Sequence, residues 1–210
     1  MYTPPLFTET DTATLIALIR ANALGVLVTH AHGSLDANHI PFIVDETRGP
    51  AGVLIAHVAR ANSMWTAVAD GDAVMVVFRG AQGYVSPNWY PSKHETHRHV
   101  PTWNYEVVHV HGTIRVIDDE KFVRGAVARL TREHESRLPA PWKMSDAPAD
   151  YLAEELAHIV GIEIDIARLE GKRKLSQNRD ARDFEGAVAG VEGSGNPGLA
   201  YAMRVARTVS

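Results

Sequence analysis

Short apolar runs separated by turn-rich stretches make up most of the chain, and this pattern predicts β-strands. The run over 73–79 is dense in Val and Met, and the run over 53–58 is apolar enough to be buried on both faces. Two glycines, Gly80 and Gly83, are expected to interrupt the 73–79 strand. Further strands are expected over 25–29, 38–44, 83–86, 106–117 and 159–166.

Helical spacing of apolar residues is found mainly towards the two ends of the chain. The first helix is expected to be capped by Thr10 or Asp11, and a short helix in the first half by Asn62. About six or seven strands then lie close together in sequence, which disfavours repeated βαβ crossovers. We therefore predict a mostly antiparallel β fold, a barrel with peripheral helices. The other helices are expected over 122–130, over 151–157 and in the tail 179–210, interrupted at 193–197.

Composition narrows the classes of protein that fit. The chain has 210 residues, of which 45% are hydrophobic and 22% charged, and these values are typical of folded domains. The longest apolar run, Ala73 to Phe78, is too short to cross a membrane, and we expect no signal peptide. The chain has no Cys, which excludes disulfides and thiolate metal sites and fits a cytoplasmic protein. The net charge of −4 argues against a broadly basic nucleic-acid surface.

Sequence motifs for nucleotide binding, serine hydrolysis and zinc proteolysis are missing from the chain. No P-loop is present, no Gly-x-Gly-x-x-Gly follows a strand, and neither Gly-x-Ser-x-Gly nor His-Glu-x-x-His occurs. We therefore assign no catalytic residue.

Histidines cluster in the middle of the chain. Of the 11 His residues, five fall between 94 and 111. His109 and His111 are two apart on a predicted strand, so their rings are expected to face the same side and could bind a metal or heme. No carboxylate completes a ligand set at a fixed spacing, so a solvated loop beside two barrel-lining histidines is favoured, and no metal site is assigned. His94, His97 and His99, in a loop expected to be exposed, are left without a role.

Aromatic and polar residues interleave over 84–93 and 100–105, on either side of a long loop predicted over 87–102. Such a mixture suits a planar polar heterocycle, because aromatic faces and edge hydrogen bonds are both needed. Packing of the loop on itself explains the same pattern, and the two interpretations stay open.

Two cationic segments could bind an anion. Arg60 precedes the short helix, and free backbone amides at that helix start would suit a phosphate. The run 172–179, Lys-Arg-Lys-Leu-Ser-Gln-Asn-Arg, follows the last predicted strand. A solvated basic turn is the ordinary explanation of such a run, whereas its Ser-Gln-Asn centre favours ligand contact.

These segments together resemble a known family. The strings ANHIPF (37–42), HVARAN (57–62), VPTWNY (100–105) and KLSQNR (174–179), with the stretch 84–93, occur in this order. In this they are similar to the PaiB-type FMN-binding negative transcriptional regulators. The resemblance implies a split β-barrel related to pyridoxamine-phosphate oxidases and flavin reductases, and a homodimer with FMN at its interface. Residues 1–185 would form this FMN-binding domain, followed by a C-terminal helical tail over 186–210.

The resemblance also implies which residues contact FMN. Arg60 would bind the phosphate with Asn62 nearby, while His57 and Val58 would line the flavin side of their strand. Backbone groups of Asn38, His39 and Ile40 would meet the isoalloxazine edge. The remaining contacts would come from Thr102, Trp103, Asn104, Ser176, Gln177 and Asn178.

The implied function is a flavin-binding transcriptional repressor, linked to control of sporulation and degradative-enzyme genes. Direct DNA contact finds no support in the charge or in a motif, so such a protein could act through a partner. An FMN-dependent oxidoreductase and a heme-binding or heme-degrading protein are the alternatives.

Overall fold

The computed structural model describes residues 1–208, and eight strands lie within that range. Their order in the sheet is β3-β2-β6-β7-β8-β5-β4, and β1 pairs with β8. The pairs β1–β8, β2–β3, β2–β6, β4–β5 and β5–β8 are antiparallel, which confirms the predicted antiparallel fold. The strands are β1 (Thr8–Glu9), β2 (Leu24–Ala31), β3 (Ser34–Pro41), β4 (Ile43–Asp45), β5 (Val53–Ala59), β6 (Ala73–Val85), β7 (Thr102–Ile117) and β8 (Ile159–Lys174).

Aspartates cap three of the helices. Asp11 accepts a hydrogen bond from the Thr14 amide, Asp119 from the Phe122 amide and Asp180 from the Asp183 amide, each at 2.8 Å. Such caps satisfy amides that have no partner inside the helix. None of the helices within residues 1–208 is long and apolar enough to cross a membrane, and the cytoplasmic location stays a prediction. The helices are α1 (Thr12–Ala21), α2 (Met64–Ala67), α3 (Lys93–Thr96), α4 (Glu120–Glu135), α5 (Ala149–Ala157), α6 (Ala181–Gly193) and α7 (Pro197–Thr208).

The chain divides into two compact units. Unit 1 consists of Met1–Leu18, Arg79–Val108 and the chain from Glu170 onward, and unit 2 of Ile19–Phe78 and His109–Leu169. A core in unit 1 joins α6 and α7 to Val85, Tyr90 and Leu175. A core in unit 2 packs α4 on β4 and β5. The boundary predicted after residue 185 falls inside α6, and a separate tail from 186 onward stays a prediction.

The predicted break in β6 is wrong, because the strand runs without interruption from Ala73 to Val85. A Cβ at Gly83 would lie 2.9 Å from both the Asn196 amide nitrogen and a Leu199 methyl. The glycine therefore gives the start of α7 room to pack on the strand, and it does not end the strand.

Three other boundaries also differ from prediction. The strand predicted over 38–44 divides at Phe42 into β3 and β4. The loop predicted over 87–102 contains a 3₁₀ turn and α3, and β7 already begins at Thr102. β8 continues to Lys174, where Arg173 forms an ion pair with Glu106 at 2.8 Å. Tertiary ion pairing of this kind allows charged residues to continue a strand that local composition would end.

Candidate functional site

Asn104, on β7 of unit 1, is fully buried. Its Nδ2 donates a hydrogen bond to Ser176 Oγ at 2.9 Å. Its Oδ1 is buried and has no hydrogen-bond partner among residues 1–208. A buried acceptor without a partner costs about 1–3 kcal/mol, so such atoms in folded proteins call for an explanation. A ligand that carries an N–H group would satisfy it.

Ser176, which contacts Asn104, lies in the turn directly after β8. It is buried, and its φ of 66° is in the left-handed region that a non-glycine residue rarely adopts. The Gln177 side chain holds this turn, since it accepts from the Leu175 amide at 2.7 Å and donates to the Arg173 carbonyl at 2.6 Å. Gln177 is therefore already used within the protein, whereas Asn178 is exposed.

Lys174 brings a positive charge next to the same strand of unit 1. Its ammonium group donates to Thr102 Oγ1, and Thr102 is on the face of β7 that carries Asn104. Burial lowers the pKa of Lys174, and the neighbouring cations of Lys172 and Arg179 lower it further, against the influence of Tyr105. We call Thr102, Asn104, Lys174 and Ser176 the Asn104 corner.

Trp103 lies between Thr102 and Asn104 and therefore points to the opposite face of β7. It is about half exposed and packs edge-on against Tyr84, with ring centroids 6.5 Å apart. A stacking role for Trp103 stays a prediction.

Arg60 in unit 2 is already engaged by the protein. Its Nε donates to the Ala157 carbonyl at 2.8 Å, and its two terminal nitrogens donate to the Asp118 carboxylate at 2.8 and 2.5 Å. These bonds hold the pKa of Asp118 below its ordinary value. We call Arg60, Asp118 and the Ala157 carbonyl the Arg60 clamp, because it ties the end of β5 to the ends of β7 and α5.

Two of the backbone amides expected to be free near Arg60 are also in use. The Asn62 amide donates to the Ala59 carbonyl at 2.9 Å, and the Met64 amide donates to Asn62 Oδ1 at 2.9 Å. The helix that follows, α2, has only four residues and begins at Met64. Ser63 directly precedes it, but the capping hydrogen bond is accepted by the Asn62 side chain, as predicted. The amides of Asn62 and Met64 are therefore not free, and the phosphate contact of Arg60 stays a prediction.

The other predicted residues of unit 2 lie on β3, on β5 and, for Asn62, just before α2. The Asn62 amide group donates to Asn38 Oδ1 at 2.7 Å, so these two side chains are brought together. His39 is exposed and Ile40 is buried. Because β3 is the last strand in the sheet order, half of its backbone groups face away from β2. The contact of these groups with a flavin edge stays a prediction.

His57 and Val58 lie on opposite faces of β5. His57 pairs with Gly161, and a Cβ at Gly161 would meet the Phe122 ring of α4. Residues opposite each other in a pair point to the same face, so His57 faces α4 while Val58 faces away. The two side chains therefore do not share one side of the strand, and a flavin contact of either residue stays a prediction. Burial lowers the pKa of His57.

The clustered histidines separate into different environments. The His109 and His111 rings, both half-buried, have centroids 6.3 Å apart, as expected for one strand face. His94 and His97 are exposed, but His99 is not, because its side chain is only 12% exposed. His99 Nε2 lies 2.7 Å from Ser92 Oγ, which donates to the buried carboxylate of Asp183. No local sequence pattern predicts this contact, since Asp183 is 84 positions away from His99.

Comparison with known proteins identifies the family. A family model described as "Putative FMN-binding domain" matches residues 1–168. The chain belongs to this FMN-binding family. An uncharacterized protein of Emericella nidulans is 34% identical and covers 93% of this chain and 92% of its own length. "Protease synthase and sporulation protein PAI 2" of Bacillus subtilis is 28% identical and covers 94% of this chain and 92% of its own length. The resemblance to the PaiB type and the cofactor expected from it, FMN, are confirmed at the level of the family.

Solved structures confirm the split-barrel fold. The FAD and heme binding protein of Mycobacterium smegmatis matches with a TM-score of 0.61 at 21% identity, over 86% of this chain and 79% of that one. The flavocytochrome Anf3 of Azotobacter vinelandii matches with a TM-score of 0.56 at 15% identity, over 80% of this chain and 69% of that one. At these identities the likeness concerns the fold.

Proposed function

We propose that this member of the FMN-binding family is a flavin-dependent regulator that binds the flavin ring at the Asn104 corner. The unpaired Oδ1 of Asn104 carries the proposal. The oxidised isoalloxazine ring has an N–H between two carbonyl groups, so it offers the donor that this acceptor lacks. Bound FMN would supply one- and two-electron redox chemistry.

The residues of the Asn104 corner would bind the ring in distinct ways. Asn104 Oδ1 would accept from the ring N–H, and the Lys174 ammonium would donate to a ring carbonyl. Ser176 would keep the Asn104 amide in place through the bond that already exists. Trp103, Gln177 and Asn178 are proposed contacts on the strength of the family strings alone. The unit 2 residues, from Asn38 to Asn62, remain predictions of the same kind.

Titration with FMN tests this assignment. The purified protein is expected to bind FMN with quenching of flavin fluorescence, and Asn104→Ala is expected to weaken binding about tenfold, as for one lost buried hydrogen bond. Asn88→Ala is the matched control, since Asn88 is an exposed amide of unit 1. A wild-type protein that does not bind FMN would contradict the proposal, as would an Asn104→Ala protein that binds normally with an unchanged melting temperature.

The regulatory role is supported by the Bacillus subtilis relative, whose name links it to protease synthesis and sporulation. The net charge of −4 favours action through a protein partner over direct binding of DNA. Salt-dependent retardation of the protein's own promoter fragment would show direct binding instead. Steady NAD(P)H oxidation by the FMN-loaded protein would favour the oxidoreductase alternative.

A homodimer is the second part of the proposal. Unit 1 exposes Tyr84, Val100, Trp103 and Tyr201, each by 48% or more, and large exposed apolar side chains often mark interfaces. Light scattering during size-exclusion chromatography is expected to give a mass near 46 kDa, twice the chain mass of 23.0 kDa. A mass near that of one chain would contradict it.

Heme binding is a second candidate, favoured by the half-buried His109–His111 pair. Hemin would then produce a Soret band that either His109→Ala or His111→Ala removes. Spectra without a shifted Soret band would eliminate this candidate.

A further inference from the structure

A groove in unit 2 has no part in the proposed flavin site. It lies between the C-terminal half of α4 and the segment 141–145, and it encloses about 470 Å³. This volume is within the range of about 300–1,000 Å³ that is typical of small-molecule sites. Ala128 and Thr131 line it from the helix, and Trp142 and Met144 line it from the segment.

The wall formed by the segment 141–145 is held in place. The Trp142 amide donates to Glu135 Oε2 on α4 at 2.8 Å, and the Lys143 amide donates to Asp146 at 2.9 Å. Pro139 and Pro141 restrict the chain just before these bonds. A wall fixed in this way need not be ordered by a ligand, so less entropy is lost on binding.

Two cations of the groove have no counterion among residues 1–208. The side chains of Arg132 and Lys143 make no hydrogen bond or ion pair with any residue of the described range 1–208. The lining carboxylate of Glu135 already accepts the Trp142 amide. Other arginines of α4 and its end are paired, as in Arg124–Glu120, Arg129–Asp45 and Arg137–Glu133.

We propose that this groove binds a small aromatic carboxylate. Trp142, 42% exposed, provides a flat apolar face, and Met144 adds a polarizable one. Arg132 and Lys143 provide donors for the carboxylate, and a guanidinium suits it because it can form two parallel hydrogen bonds. Both cations are exposed, so a neutral apolar ligand would gain nothing from their charge. The protein would thus have an anion site of its own, separate from any flavin.

Calorimetric titration with 1-naphthaleneacetate tests the proposal. The wild-type protein is expected to bind one equivalent, with quenching of tryptophan fluorescence that Trp142→Phe removes. The uncharged isostere 1-naphthaleneacetamide is expected to bind about tenfold more weakly, because it cannot use the charge of the two cations. Arg132→Gln should weaken binding of the acid by a similar factor. Arg137→Gln, which removes an exposed arginine paired with Glu133, is the matched control.

Four results of the binding experiments would overturn the proposal, and a fifth would come from the oligomeric state. The four are no binding of the acid at millimolar concentration, equal binding of acid and amide, normal binding by Arg132→Gln, and competition between the acid and FMN. A dimer that dissociates on Trp142→Ala would instead assign the groove to a second copy and would also overturn it. FMN titration of Arg132→Gln should match the wild type, so failure of the groove and failure of the flavin assignment can be told apart.

Discussion

The Asn104 corner and the Arg60 clamp both lie in sequence strings that the family resemblance assigns to FMN binding. They differ in whether their polar atoms have hydrogen-bond partners within the protein. At the clamp, Nε and both terminal nitrogens of Arg60 have partners on the protein. At the corner, Asn104 Oδ1 is buried and has no hydrogen-bond partner among residues 1–208. A buried acceptor without a partner costs free energy, and a donor supplied by a ligand would remove that cost. The difference supports the proposed flavin contact of Asn104 and leaves the phosphate contact of Arg60 a prediction.

The largest expected effect on stability comes from substitution of Ser176, in the Asn104 corner. Its left-handed φ of 66° is costly for a β-branched residue, so Ser176→Val should lower the free energy of unfolding by about 2–3 kcal/mol. Ser176→Gly loses the same hydrogen bond but favours this conformation, so it should change stability by less than about 1 kcal/mol. Urea denaturation measures both. Equal losses in the two variants would show that the backbone conformation is not the cause.

Substitution of Lys174 should have an intermediate effect on stability, and this effect should depend on pH. Its pKa is lowered in the folded state, so the unfolded chain binds more protons between the folded value and the ordinary value of 10.5. Stability should therefore rise with pH across this interval. Lys174→Met should remove this rise. The free energy of unfolding of the variant, compared with that of the wild type, should be highest at neutral pH, where the wild-type protein buries a charged ammonium group. Urea denaturation at pH 7 and pH 10 measures the free energy of unfolding of both proteins. An equal change between the two pH values in wild type and variant would contradict the prediction.

The smallest effect on stability is expected at the Arg60 clamp, because its ion pair is exposed and screened by solvent. Arg60→Ala should lower the melting temperature slightly, and the phosphate contact implied by the family resemblance predicts a marked loss of FMN affinity in the same variant. Asp118 has a lowered pKa, so its contribution is present above the ordinary carboxyl value of 3.8 and is lost as the pH falls below it. The difference between wild type and Asp118→Asn should therefore vanish in acid. An unchanged FMN affinity in Arg60→Ala would contradict the predicted phosphate contact.

Local patterns predicted most of the secondary structure. The Asp11 cap of α1, the buried run of β5 and the interruption of the tail between α6 and α7 follow from capping and periodicity. The failures have tertiary causes. Gly80 and Gly83 are predicted to interrupt a strand, but the strand continues through both, and Gly83 packs against the start of α7. Arg173 remains in a strand because it pairs with Glu106.

The candidate site was predicted in part. The strings around Asn104 and Ser176 were identified, but the bond between these residues joins positions 72 apart in sequence. The same holds for His99, which lies against Ser92 and Asp183 in a partly buried network. Contacts of this separation depend on how the elements pack, and local residue preferences carry no information about them.

The sequence by itself determined the kinds of element, the absence of cysteine chemistry and the strings that indicate an FMN-binding family. These properties follow from residue type and short-range spacing, which the chain carries in any conformation. Only the tertiary structure decided that Arg60 donates hydrogen bonds to Asp118, and that the Oδ1 atom of Asn104 is buried with no hydrogen-bond partner among residues 1–208. Whether a polar group has a partner depends on which distant groups folding places within about 3 Å of it.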